Sequence, residues 1–118
     1  MTKMEPYKTV IVVRKDLDLP VGKWIAQAVH ATQRAQMNIA IHYKNSNEFL
    51  PICIVCYVKN GAQFSKLADK CREELVPFSF QVDAGHNYVE AGMTTCMCIG
   101  PAPVSMVDKV TKRLQLLK

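Results

Sequence analysis

The sequence predicts a three-layer α/β/α domain: a mixed four-stranded β-sheet flanked by helices on both faces, in the order β-α-β-α-β-β-α. Three observations predict it. Continuous β-branched runs of strand length, YKTVIVVR at 7–14 and PICIVCYV at 51–58, read as strands buried on both faces. They alternate with longer Ala-, Gln- and Lys-rich segments of helical character, the pattern of crossover connections. The last two strand-like runs, Pro77–Asp83 and Met93–Ile99, are joined only by residues 84–92, too few for a crossover helix, so that pair is a hairpin or an open connection around a site.

Taken in order, Tyr7–Arg14 is a central strand. Asp16 to Gly22 is a loop broken by Pro20 and Gly22, and a helix runs from Lys23 to about Met37. Residues 38–50 either extend that helix or form a short second one before the polar turn at Asn45–Asn47. Pro51–Val58 is the second strand, Asn60-Gly61 a turn, and the next helix reaches about Leu75. Two strands follow. Pro103 then suits the first turn of a final helix over Val104–Leu114. With 118 residues, no repeat and no linker, the chain predicts a single domain over 1–118, residues 1–6 being a disordered tail.

No apolar run approaches the roughly 20 residues of a membrane span, and MTKMEPYKTV lacks the apolar core of a signal peptide. The expectation is a soluble, cytoplasmic protein without membrane contact, a mitochondrial association being left open. Fifteen basic against ten acidic residues give a net charge of +5, which fits a polyanion such as RNA. Five cysteines, an odd number, argue against a disulfide framework. Cys53 and Cys56 imitate a metal knuckle, but on a strand residues three apart face opposite ways. The histidines at 30, 42 and 86 have no ligand spacing.

Two stretches carry candidate chemistry. In QVDAGHNYVEAGMTTCMCIG, residues 81–100, an apolar strand ends in Asp83, glycines turn the chain, and the next strand opens with Thr94 and Thr95. A carboxylate at a strand end beside a turning glycine is how a site is built on a rigid sheet. On the first helix, Lys23, Gln27, His30 and Arg34 lie within roughly 40° of one another at helical spacing. Ile25, Ala28, Val29 and Thr32 form the opposite side, expected to face the sheet. Lys23 sits in the first turn, against the helix dipole, as it would if it answers an anion. If the first and third strands run parallel, Lys23 and Asp83 share one end of the sheet, where open α/β sheets bind ligands.

RKDLDLPVGKWIAQAVHAT resembles the opening of the archaeal and eukaryotic class of peptidyl-tRNA hydrolases: an Arg-x-Asp-Leu loop, a Gly-Lys and an Ala-Gln-x-x-His-Ala helix. VDAGHNYVEAGMTTCMCIGPAP and the terminal VDKVTKRLQLLK are similar to the rest of that signature, so the likeness spans nearly the whole chain in order. The resemblance implies a four-stranded mixed sheet, hydrolysis of the ester linking a peptide to the ribose of tRNA, no metal or other cofactor, peptidyl-tRNA as partner, and a homodimer. It places the family's catalytic lysine, aspartate and threonine on Lys23, Asp83 and Thr95, and its helix histidine on His30. The chain departs from the family after Asp-Ala-Gly, where His86-Asn87-Tyr88 stands for the usual Arg-Thr-Gln, so an arginine expected to hold phosphate or orient the site is absent. The stretch between the first helix and the second strand is also shorter.

The expected mechanism is attack by a positioned water, with Asp83 orienting the water or holding Lys23. Lys23 stabilises the oxyanion or a phosphate, and Thr95 hydrogen-bonds the carbonyl or the water. Gln27, His30, Arg34, His86 and Asn87 are the expected RNA-binding residues. The alternative is a catalytically silent RNA- or protein-binding relative on the same fold.

Overall fold

The computed structural model describes residues 5–37, 51–82 and 94–118. Its elements are β1 (Tyr7–Arg14), α1 (Val21–Met37), β2 (Ile52–Val58), α2 (Ala62–Glu74), β3 (Phe78–Val82), β4 (Thr94–Pro103), α3 (Val104–Thr111) and β5 (Gln115–Leu116). The sheet order is β3-β4-β1-β2-β5. β1 and β2 are parallel, while β4 runs antiparallel to both β1 and β3. β1 and β3 therefore point the same way, which meets the condition set in the sequence reading, and the start of α1 and the end of β3 lie at one end of the sheet.

The three-layer class holds, with five strands instead of four. The last helix ends at Thr111, short of the expected Leu114, and Gln115–Leu116 pairs with Tyr57 and Cys56 of β2. The Tyr57 hydroxyl donates to Gln115 Oε1 at 2.6 Å, and the Leu117 N–H reaches the Val55 carbonyl at 2.9 Å. A two-residue strand has no periodicity to read, but it covers part of what would be the open edge of β2. β4 runs past the expected Ile99 to Pro103, across a register shift opposite Lys8 and Val10. There Gly100 has φ +98°, and a Cβ would stand 2.5 Å from the Lys8 carbonyl oxygen, so only glycine fits.

Alternation along the strands builds two cores. Val10, Val12, Cys56, Val58, Met97 and Ile99 pack with Phe64, Ala68 and Cys71 of α2 and Val107 and Val110 of α3. On the other face Ile11, Val13, Cys96 and Cys98 meet Ala31 and Ala35 of α1. Each fully buried aliphatic side chain contributes about 1.5–3 kcal/mol. Cys56 lies in the first core and Cys53 is exposed. Burial pushes the Cys71 thiol up to about 11 and those of Cys96 and Cys98 up to about 12. These three are neutral, apolar packing groups at ordinary pH.

The seating of α1 corrects the sequence reading. Ile25 and Val29 face solvent, with Val21 and Met37, while Gln27, Ala31 and Ala35 are buried. At roughly 100° per residue, the sheet-facing ridge of Trp24, Ala28, Ala31 and Ala35 lies between the two flanks that a two-sided reading opposes. Alanines over Cys96 and Cys98 let the backbone approach closely, which bulky Ile25 and Val29 would prevent. Gln27 accepts burial because it finds a partner there.

Residues 1–4 of the expected tail lie outside the described residues, as does the ambiguous 38–50 segment. Glu5 is tied down: its carboxylate accepts from the Ser105 N–H at 2.6 Å and the Ser105 hydroxyl at 3.0 Å, serving the first turn of α3. Asp108 of α3 pairs with Lys8 at 2.7 Å, and the buried Thr111 hydroxyl donates to the Val107 carbonyl at 3.0 Å. These contacts give the terminal Asp-Lys-Val-Thr a docking role. Among the described residues no helix is long and apolar enough to cross a membrane.

Candidate active site

After the loop of residues 15–20 that follows β1, α1 begins at Val21, directly after Pro20 and two residues before the expected Lys23, and this puts Lys23 in the first helical turn, half-buried. One turn later Gln27 enters the sheet side. The Thr95 hydroxyl donates to Gln27 Oε1 at 2.6 Å and lies 3.3 Å from the Gln81 carbonyl oxygen. All three residues are buried: Thr95 is 0% exposed, Gln27 4% and Gln81 7%. A hydroxyl has one proton, and the shorter contact takes most of it. Thr95 thus fastens α1 to β4 and sits beside β3.

Two further ties hold α1 to β3. The Ser79 hydroxyl donates to the Ala31 carbonyl at 3.1 Å, and Arg34 Nε donates to Gln81 Oε1 at 3.1 Å. The Gln81 amide in turn donates to the Val82 carbonyl at 3.2 Å. Helix, β3 and β4 are therefore locked together by side-chain hydrogen bonds at the end of the sheet that bears Lys23. His30 lies on the same flank of the helix and is exposed.

The Arg-x-Asp of the first loop does a related job. Arg14 forms a bidentate pair with Asp16, Nε to Oδ1 at 3.1 Å and Nη2 to Oδ2 at 2.7 Å, and Nη1 donates to the Thr94 carbonyl at 3.2 Å. The Arg14 guanidinium, mainly through these hydrogen bonds, holds the Asp16 carboxyl below its usual range, although burial opposes it. A Cβ on Gly61 would stand 3.0 Å from Arg14 Nη1, so a bare glycine there gives the guanidinium its room. The loop before α1 is thereby anchored to the residue preceding Thr95.

Of the residues singled out in the sequence, Gln27 and Thr95 are bonded to each other, with Lys23 one turn earlier in α1, whereas Arg34, in the last turn of α1 and roughly 16 Å along the helix from Lys23, is tied to Gln81 of β3. Asp83, His86 and Asn87 lie outside the described residues, as do the other residues of 83–93. The last described residue of β3, Val82, pairs with Thr94, and Asp83 is next in the chain. Sequence reasoning missed Gln81 and the role of Arg14. The signal for Gln81 was a lone amide inside the apolar run FSFQV, a polar residue that burial tolerates only with partners. Among the described residues no three or more His, Cys, Asp or Glu side chains gather as they would around a metal ion.

Comparison with known proteins identifies the family of the chain. The family model described as Peptidyl-tRNA hydrolase PTH2 matches residues 7–117, from β1 past β5. A protein of Sulfurisphaera tokodaii named peptidyl-tRNA hydrolase is 40% identical, the match covering 93% of this chain and 98% of the relative. The protein of that name from Aeropyrum pernix is 36% identical over 95% and 97% of the two chains. The one from Thermococcus onnurineus is 31% identical over 94% and 98%. Matched from its first strand to its last, in the same order and over nearly its full length, this chain belongs to the PTH2 family of peptidyl-tRNA hydrolases.

Proposed function

We propose that the protein hydrolyses the ester that joins a peptide to the ribose of tRNA, releasing the peptide and free tRNA. The observation that carries this reading is family membership along essentially the whole chain; Lys23 and Thr95, on which the resemblance places the family's lysine and threonine, stand on elements bonded together through Gln27. The chemistry asks little of a cofactor. A ribose hydroxyl is a fair leaving group, so a well-placed water suffices. The water oxygen bonds to the carbonyl carbon, the ester C–O bond breaks, and the proton passes to the departing ribose oxygen.

Asp83, one residue beyond Val82, orients and deprotonates the water. Lys23 faces the charge that develops on the carbonyl oxygen or the adjacent phosphate; a cation there stabilises the transition state more than the ground state. Thr95 is a positioning residue in this scheme. Its hydroxyl is spent inside the protein on Gln27, which lies one helical turn from Lys23. His30 and Arg34, on the flank of α1, and His86 and Asn87, shortly after Asp83 in the sequence, bind RNA. The homodimer that the resemblance implies belongs to this reading, supported by the solvent-facing Val21, Ile25, Val29 and Met37 of α1. Sedimentation that finds only monomer at micromolar concentration removes it.

Lys23→Ala tests the RNA-facing half of the site. Binding of deacylated tRNA to the variant is expected to weaken about fivefold at low salt. The slope of log affinity against log salt should fall by one phosphate contact, about 0.7–0.9. An unchanged slope removes Lys23 from phosphate binding.

A further inference from the structure

We infer that Gln81 is a positioning residue that aims the Arg34 guanidinium at an RNA phosphate without neutralising it. The inference rests on the tRNA reading above and extends it to a residue that carries no motif.

Arg34 lies in the last turn of α1 and is exposed, while Gln81 on β3 is 7% exposed. The bond between them uses Nε, the inner nitrogen of the guanidinium. A guanidinium held through Nε has its plane fixed, and its two Nη groups, the pair that grips a phosphate in bidentate fashion, project from the outer end. An arginine on an exposed helix otherwise samples many rotamers and loses that freedom on binding. The clamp removes part of this cost in advance.

The acceptor is an amide, and its neutrality matters. A carboxylate at the same place would accept the same hydrogen bond but would pair with the cation and cancel its field toward RNA. Arg14 shows this contrast within the same fold: Asp16 holds it bidentate and engages both Nε and Nη2. That arginine is structural. Gln81 instead engages Nε alone, and its own amide is oriented by the Val82 carbonyl. The same residue offers its backbone carbonyl to Thr95. One buried glutamine thus sets the helix cation relative to the strand that leads into Asp83, and it does so in a chain lacking the arginine that the family carries after Asp-Ala-Gly.

The test is binding of deacylated tRNA across a salt series by wild type, Arg34→Gln, Gln81→Glu, Gln81→Met and the Arg34→Gln/Gln81→Glu double variant, with circular dichroism as a check on folding. Arg34→Gln should reduce the log–log slope by about 0.7–0.9, one contact. Gln81→Glu should reproduce most of that loss with Arg34 intact, and the double variant should lose no more than Arg34→Gln alone. Gln81→Met, which keeps the volume and removes the acceptor, should weaken binding about two- to threefold with the slope nearly kept. In turnover, the Gln81→Glu loss should fall on KM more than on kcat. A folded Gln81→Glu protein with wild-type slope overturns the inference, as does additivity in the double variant. If Gln81→Glu does not fold, Gln81→Met decides: wild-type affinity in that variant overturns the clamp. The binding arm needs no catalysis, so a wild-type protein that binds tRNA in a salt-dependent way without cleaving its ester sinks the hydrolase reading alone. A protein that does not bind tRNA sinks both.

Discussion

Asp83→Asn is expected to lower the rate of peptidyl-tRNA cleavage by at least about a hundredfold, the usual range for a lost general base being 10²–10⁴. Binding of deacylated tRNA should stay within about threefold of wild type. Asparagine keeps the size and hydrogen-bonding shape of the side chain but cannot take a proton or carry negative charge. The residue adds nothing to phosphate binding, because a carboxylate repels phosphate. The effect therefore belongs in kcat, and single-turnover rates at saturating enzyme separate it from affinity. An Asp83→Asn variant that cleaves at near the wild-type rate would move the base elsewhere on the protein.

Thr95→Val carries the largest expected loss of stability. Valine fills the same space, so no cavity opens, but the Gln27 amide oxygen loses its donor and the Gln81 carbonyl loses a neighbour, in a region where Thr95 is wholly buried. Leaving buried polar groups unpaired costs about 1–3 kcal/mol, which in a chain of this size lowers the melting temperature by roughly 5–15 °C. Because Gln27 and Lys23 share one helical turn, kcat should also drop, by about tenfold at a temperature where the variant is folded. Thr95→Ser retains the hydroxyl and should recover most of the rate, although it loses a methyl group from the core. A merely structural threonine would give the stability loss in both variants and leave kcat per folded molecule unchanged.

The sheet was readable because its strands are written in β-branched residues, whereas the sequence leaves the β3–β4 link open between a hairpin and an open connection, and only the antiparallel pairing with β4 decides the direction of β3. β5 was not, since two residues carry no pattern and their pairing depends on where α3 happens to release the chain. The polar stripe on α1 was visible at helical spacing, yet its orientation was misjudged. Hydrophobicity alone favours Ile25 and Val29 as the sheet face, whereas close packing over Cys96 and Cys98 favours alanine, and Thr95 makes burial of Gln27 tolerable. The same limitation hid Gln81. A buried amide is recognisable only through its partners, and those, Arg34 and Thr95, come from elements 47 and 14 residues away in sequence. Thr95 itself was legible as a motif position. That its hydroxyl is turned inward, to a glutamine 68 residues distant, is a property of the fold.

The departure at His86-Asn87-Tyr88 takes on a different weight beside Arg34. In the proposal, Arg34 of α1, held by Gln81 of β3, offers phosphate a partner from another element. The proposed site combines a carboxylate for water, a lysine for developing charge and an oriented arginine for RNA, and the helix that bears the lysine and the arginine is bonded to β3 and β4.

The most direct measurement is cleavage of a purified peptidyl-tRNA by the wild-type protein in the presence of EDTA, following release of free tRNA and peptide. The expected result is multiple turnovers with intact tRNA and an unmodified peptide carboxylate as products, abolished by Asp83→Asn. A folded protein that binds tRNA with the predicted salt dependence but leaves the ester intact would contradict the account and identify a binding relative on the same fold.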